Sequence, residues 1–168
     1  MSETIYLSLG SNRGDRESNL AAAITALGTY VEVHDIQSAS FYSSEPLYNK
    51  DQPQFLNTVV RCETELSPLQ LLDAIKNIET LIGRPKNHKK NESRTIDIDI
   101  LCFGDEVIAT EELTIPHPDL PNRLFVLIPF TELEPEFVFP LWNKSITDLL
   151  IICSDNTTIT KHIIQTSA

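Results

Sequence analysis

Residues 67 to 104 read SPLQLLDAIKNIETLIGRPKNHKKNESRTIDIDILCFG, and three kinds of chain follow one another within them. Ser67-Pro68 is a helix start, with serine as N-cap and proline at the first helical position. Leu71, Leu72, Ile75, Ile78 and Ile82 recur at helical spacing, and Gly83 suits the left-handed residue that ends a helix. Thr95 to Phe103 has the period of a strand: Ile96, Ile98 and Ile100 fall on one face, Thr95, Asp97 and Asp99 on the other. Between helix and strand, Arg84, Lys86, Lys89, Lys90 and Arg94 are five of the thirteen Lys and Arg residues, opposed only by Glu92.

The residues before this stretch supply the rest of the fold. Thr4 to Leu9 is a strand ended by a turn over Gly10 to Asp15, and Glu17 to Tyr30 is a helix with Leu20, Ile24 and Leu27 at helical spacing. Val31 to Tyr42 reads as extended, residues 43–53 as a long polar loop with two prolines, and Phe55 to Leu66 as an alternating strand. The order is β-α-β-β-α-β, which predicts an α+β, ferredoxin-like antiparallel sheet with helices on both sides.

Downstream, Gly104-Asp105 reads as a hairpin turn from the Asp-bearing strand into residues 106–108, and Leu113 to Pro118 as a short strand ended by prolines. A helix is expected over Asn122 to Leu133, an extended piece over Phe137 to Phe139, and a last helix capped by Ser145 and running through Ile152. The tail from Asp155 carries no clear pattern. At 168 residues the chain is expected to form a single domain, residues 1–168, with these pieces added at the C-terminal side.

Totals exclude several classes. A net charge of −11 argues against nucleic-acid binding, and no run of 18 apolar residues predicts a membrane span. Met1 to Leu9 lacks the basic start of a signal peptide, and Cys62, Cys102 and Cys153 fit neither a disulfide framework nor a zinc site. The expectation is a reduced, cytoplasmic protein. In so acidic a chain, the basic cluster between 84 and 94 points to a local anion site, with a solvated loop as the bland alternative.

Asp97 and Asp99 lie about 7 Å apart along the strand, close enough to lean toward one or two hard cations. Two Mg²⁺ ions clamping a phosphoryl group, with a basic loop that ends at Arg94 one residue before the strand, is a phosphoryl-transfer constellation. No Walker loop and no protein-kinase signature set is present. Lys76 and Glu79 stand one helical turn apart, and His117 lies between Pro116 and Pro118. Each has an ordinary structural reading as well: a solvated sheet face, a surface pair, a packed loop histidine. An Asp-x-Asp nucleotide-sugar glycosyltransferase and a non-enzymatic ferredoxin-like ligand-sensing module are the rival functions.

The chain resembles the 6-hydroxymethyl-7,8-dihydropterin pyrophosphokinase family over nearly its whole length. The resemblance rests on Tyr6-Leu7-Ser8-Leu9-Gly10-Ser11-Asn12, Ser44-Glu45-Pro46, Asp51-Gln52-Pro53-Gln54-Phe55-Leu56-Asn57, Arg94-Thr95-Ile96-Asp97-Ile98-Asp99-Ile100-Leu101 and Ile115-Pro116-His117-Pro118, then Asn122 to Leu127. It implies transfer of diphosphate from ATP to the pterin's hydroxymethyl oxygen, release of AMP, two Mg²⁺ ions, and small-molecule substrates handled by a monomer. By position, it makes Arg84, Arg94, Asp97 and Asp99 catalytic, with Asp97 and Asp99 as metal ligands. Gly10, Ser44, Pro46, Leu47, Phe55, Asn57 and Phe125 would hold the pterin, the two phenylalanines by stacking. Lys76, Glu79, Arg84, Lys86, Arg94, Ile100, Thr114, His117 and Arg123 would hold ATP. The chain departs from the family at Lys90-Asn91-Glu92-Ser93, where many members have an aromatic residue and Gly-Pro, at Lys86 in place of arginine, and at Tyr48 in place of glycine.

Overall fold

The computed structural model describes residues 1–44, 51, 53–83 and 95–164. The chain opens with β1 (Glu3–Ser11), α1 (Arg16–Leu27), β2 (Val33–Ser38), β3 (Tyr42–Ser44), β4 (Phe55–Thr64), α2 (Pro68–Ile82) and β5 (Asp97–Phe103). The short strands β6 (Ile108–Ala109) and β7 (Thr114–Ile115) follow, then a 3₁₀ turn at Leu120–Asn122 and α3 (Leu124–Leu133). The chain continues through β8 (Val138–Phe139), β9 (Lys144–Ser145), α4 (Ile146–Ile152) and β10 (Ile159–Lys161).

In the main sheet β10, β3, β4, β1 and β5 lie side by side, all antiparallel to their neighbours, and β2 pairs with the far half of β4. The stretch expected to run extended from Val31 to Tyr42 is therefore two strands that share one partner. Taking β2 and β3 as one broken strand, the order is that of the β-α-β-β-α-β arrangement expected from the sequence.

Helix α2 follows its sequence signals closely. The Ser67 side chain accepts from the Gln70 N–H, the Gln70 side chain accepts from the Ser67 N–H, and Gly83 takes a φ of 111°. Such a φ is open to glycine at little cost. Helix α1 is started by Asp15, whose carboxylate accepts from the Ser18 N–H.

Each sheet face carries its own core. Ile5, Leu7 and Leu9 of β1 and Ile96, Ile98 and Ile100 are buried against Leu20 and Leu27 of α1 and Leu71, Ile75 and Ile78 of α2. On the opposite face Tyr6, Val59, Leu101 and Cys102 pack against Val126, Leu127 and Phe130 of α3 and Ile146 and Leu149 of α4. Burial of these side chains at roughly 25 cal/mol per Å² drives the assembly. Tyr6 and Phe130 stack at 4.5 Å between ring centroids.

Two expectations need correction. Gly104-Asp105 does not lead into a hairpin with β5: β6 pairs with β7 instead, Ile108 opposite Ile115. The tail that showed no pattern holds a strand, β10, which extends the main sheet beyond β3. Both depend on partners that neighbouring residues do not specify.

Strand β5 has a further local irregularity. Leu7 pairs with Ile100 but Tyr6 pairs with Cys102, so Leu101 is an extra residue in the register. Leu101 and Cys102 both join the α3/α4 core, while Ile100 and Phe103 join the other. The Leu101 carbonyl accepts the His117 N–H at 3.0 Å.

Candidate active site

The site lies on the α3/α4 face of the sheet, beyond the area those helices cover. Along β1 the side chains on this face shrink from Tyr6 through Ser8 to Gly10. Each pairs across to β4 and β5. Gly10 stands opposite Asn57 on one side and Asp97 on the other, and Asn57 in turn stands opposite Tyr42. One rung further in, Ser8 stands opposite Val59 and Asp99. Directly paired residues share a face, with neighbouring strands about 4.8 Å apart. Asn57 and Asp97 are thus about 10 Å apart across an open glycine floor.

The Asn57 end is a polar pocket. Ser44 and Asn57 are buried, and the Asn57 side-chain amide donates to the Ser44 hydroxyl at 2.6 Å. That leaves Asn57 Oδ1 as an acceptor turned toward Gly10, where a Cβ would come within 2.9 Å of it. The half-buried Phe55 ring borders the same floor, 3.6 Å from that position. Of the seven residues expected at the pterin, the structure brings Gly10, Ser44, Phe55 and Asn57 together; Pro46 and Leu47 lie outside the described residues.

The Asp97 end combines anions and cations. His117 Nε2 lies 4.0 Å from Asp99 Oδ1, both side chains partly exposed. His117 Nδ1 accepts the Asp119 N–H at 3.2 Å, which makes Nε2 the protonated nitrogen of the neutral ring and aims it toward Asp99. Burial lowers the His117 pKa and the Arg123 guanidinium lowers it further, while Asp119 and Asp97 act the other way. At neutral pH His117 is therefore an uncharged N–H donor. Arg123 is held by Asp119 Oδ2 at 3.1 Å and lies over the Phe125 ring, 5.5 Å from its centroid. Asp97, Asp99, His117, Arg123 and Phe125 form one connected group.

The remaining expected nucleotide residues lie along the outer edge of β5. Glu79 is no free surface acid: its carboxylate accepts the Ile98 N–H at 2.9 Å and ties α2 to that edge. Lys76 is exposed one turn earlier, and the Thr114 side chain is exposed on β7. The Ile100 side chain faces the α1/α2 core. Alternation along the strand puts its N–H and C=O on the outer edge, beside those of Ile98. Arg84, Lys86 and Arg94 lie outside the described residues, as do Tyr48 and Lys90-Asn91-Glu92-Ser93. Gly83 and Thr95, which flank the basic stretch, adjoin each other; a Gly83 Cβ would be 4.0 Å from the Thr95 side chain.

Several supporting residues escaped the sequence reading. Asn12 donates to the Pro53 carbonyl at 3.3 Å and Arg16 to the Gln54 carbonyl at 2.8 Å, fixing the chain just before Phe55. The polar turn Gly10 to Asp15 was their only local signal. Glu132 of α3 accepts from the Tyr42 hydroxyl at 2.6 Å and from the Ser40 N–H at 2.8 Å, which locks α3 to β3. Burial and that carboxylate raise the Tyr42 pKa to about 12. No described helix is long and apolar enough to cross a membrane.

Comparison with known proteins gives the family and the fold. A family model described as 7,8-dihydro-6-hydroxymethylpterin-pyrophosphokinase (HPPK) matches residues 6–135. The chain is 44% identical over 147 residues to 2-amino-4-hydroxy-6-hydroxymethyldihydropteridine pyrophosphokinase of Haemophilus influenzae, covering 88% of this chain and 91% of that protein. It is 41% identical over 145 residues to the folic acid synthesis protein fol1 of Schizosaccharomyces pombe, covering 86% of this chain and 20% of that much longer protein. Among solved structures, Plasmodium falciparum HPPK-DHPS with pteroate is similar at a TM-score of 0.69 and 18% identity, over 89% of this chain and 42% of that one, a likeness of fold.

Proposed function

The chain belongs to the 7,8-dihydro-6-hydroxymethylpterin-pyrophosphokinase family and is an ATP-using diphosphotransferase of folate biosynthesis, and we propose that the rung Asn57–Gly10–Asp97 is where its two substrates meet. That rung is the observation that carries the reading. It sets the buried Asn57 amide and the Asp97 carboxylate on one face, with no side chain between them.

In this reading the pterin lies over Gly10. Asn57 Oδ1 accepts from its N–H groups, the Ser44 hydroxyl fixes the Asn57 amide, and Phe55 and Phe125 stack on the ring's two faces. Pro46 and Leu47 complete the pocket. The hydroxymethyl group then points along the rung toward Asp97. Its oxygen forms a bond to the β-phosphorus of ATP and gives up its proton to solvent, the bond from that phosphorus to the bridging oxygen of the α-phosphate breaks, and AMP leaves.

Asp97 and Asp99 fit magnesium: two half-exposed carboxylates on one strand face, hard oxygen donors with room for water and phosphate oxygens. When bound, two such ions would neutralise the phosphate oxygens and align the triphosphate. The neutral His117 Nε2–H donates to a phosphate oxygen, and Arg123 holds its charge over the Phe125 ring beside it. Arg84 and Arg94 act on the same phosphates; the closeness of Gly83 and Thr95 beside Asp97 supports this. Glu79 holds the outer edge of β5, where Ile100, Thr114 and Lys76 meet the nucleoside and Lys86 its phosphates. Residues 1–168 work as one domain and as a monomer in the cytoplasm. Family membership removes the support for a glycosyltransferase or a sensing module.

The test is product analysis. Purified protein given Mg²⁺, ATP and 6-hydroxymethyl-7,8-dihydropterin is expected to release one AMP for each pterin consumed. ADP as the product, or no turnover beside a working control enzyme, sinks the reading.

A further inference from the structure

Arg123 occupies the N-cap of α3 with extended backbone angles, φ −128° and ψ 104°, and makes no side-chain cap hydrogen bond. Arginine cannot serve there, since the guanidinium has no acceptor. The open N–H of the helix's first residue, Leu124, is taken instead by Asp155 Oδ2 at 2.9 Å, from 31 residues downstream. Asp155 Oδ1 accepts the Thr157 N–H at 2.9 Å, which fixes the carboxylate and turns the chain toward β10. There Ile159 pairs with Ser44 and Lys161 with Tyr42, and the His162 N–H donates to the Phe41 carbonyl at 2.8 Å.

The segment 155–162 therefore joins the two sides of the pterin pocket. One end grips the helix start between Arg123 and Phe125; the other lies along the strand that carries Ser44. It also lies outside residues 6–135, the stretch matched by the family model. A carboxylate at a helix N-terminus is favoured by both the open amides and the helix dipole.

We propose that Asp155 is a positioning residue for Arg123 and Phe125: it supplies from downstream in the chain the cap that Arg123 cannot supply, and so fixes both side chains on the substrates. The inference rests on the pyrophosphokinase reading given above.

Asp155→Ala is expected to lower kcat/KM about tenfold, through a higher KM for the pterin and a lower kcat, because the first turn of α3 shifts under its two functional side chains. Asp155→Asn keeps an acceptor oxygen and is expected to retain most of the activity. Ser145→Ala removes the cap of α4, away from the site, and is the matched control: a lower Tm with kcat/KM unchanged below the transition. Should Asp155→Ala not fold, Asp155→Ser, a shorter acceptor, is expected to show a smaller fall of the same kind. An active wild type in which Asp155→Ala (or Asp155→Ser in its place) behaves like Ser145→Ala overturns the positioning role alone. A wild type that neither binds the pterin nor releases AMP overturns the function reading as well.

Discussion

The two faces of the sheet use the same strands for opposite ends. Under α1 and α2, Ile5, Leu7 and Leu9 meet Leu56, Val60, Ile98 and Ile100, and the helices close over them. On the other face the same three strands present Tyr6, Val59 and Leu101 to α3 and α4, then Ser8 with Asp99, then Gly10 with Asn57 and Asp97. One face holds the fold. The other holds it for half its length and, in the proposed reading, gives the remainder to substrates. Because side chains alternate across a strand, each residue of β5 answers to one task at a time.

Substitutions on the two faces should separate stability from turnover. The largest effect is expected at Asp97→Ala: AMP release falls about a thousandfold, the rate equivalent of several kcal/mol of lost charge stabilisation, while the far-UV CD spectrum and Tm stay close to wild type. Full activity of that variant with Mg²⁺ would overturn the proposed role of Asp97 as a metal ligand. Next comes Ile78→Ala on the closed face. It should cost about 2–5 kcal/mol in a urea titration and leave turnover per folded molecule unchanged. A changed kcat at low urea would mean that the faces are coupled through β5.

The smallest effect concerns pH. The folded His117 pKa lies below its ordinary 6.5, so between those two values the unfolded chain binds more protons than the folded one. Stability then rises with pH across that window, and is lost as pH falls from 6.5. The urea midpoint of His117→Asn should show a flatter rise than wild type there; identical slopes would place the imidazole in a more open setting than its bond from the Asp119 N–H implies.

Much of this fold is legible in the sequence. The Ser67-Pro68 start, the Gly83 stop and the alternation of isoleucine with aspartate each depend on residues within a few positions. The closeness of Gly10, Asn57 and Asp97 was legible only through likeness to a family, since register between strands is not written in any one of them. Glu79 looked like half of a surface pair because its partner is the backbone of Ile98, 19 residues away. Glu132 and Asp155 gave no signal at all, with partners 90 and 31 residues distant. A carboxylate that caps a helix within its own turn has a recognisable pattern; one that arrives from 31 residues away does not.

The extra residue in β5 has a consequence for how this strand can change in length. Leu101 and Cys102 point the same way, so the halves before and after them run out of phase by one. Losing a residue anywhere from Asp97 to Ile100 would rotate part of the strand and exchange carboxylates for isoleucines. Losing Leu101 or Cys102 rotates nothing, because it restores plain alternation. What would vanish is the carbonyl turned outward to hold the His117 backbone. Natural or engineered one-residue shortenings of β5 should therefore survive at 101–102 alone, as folded proteins whose histidine has lost its anchor.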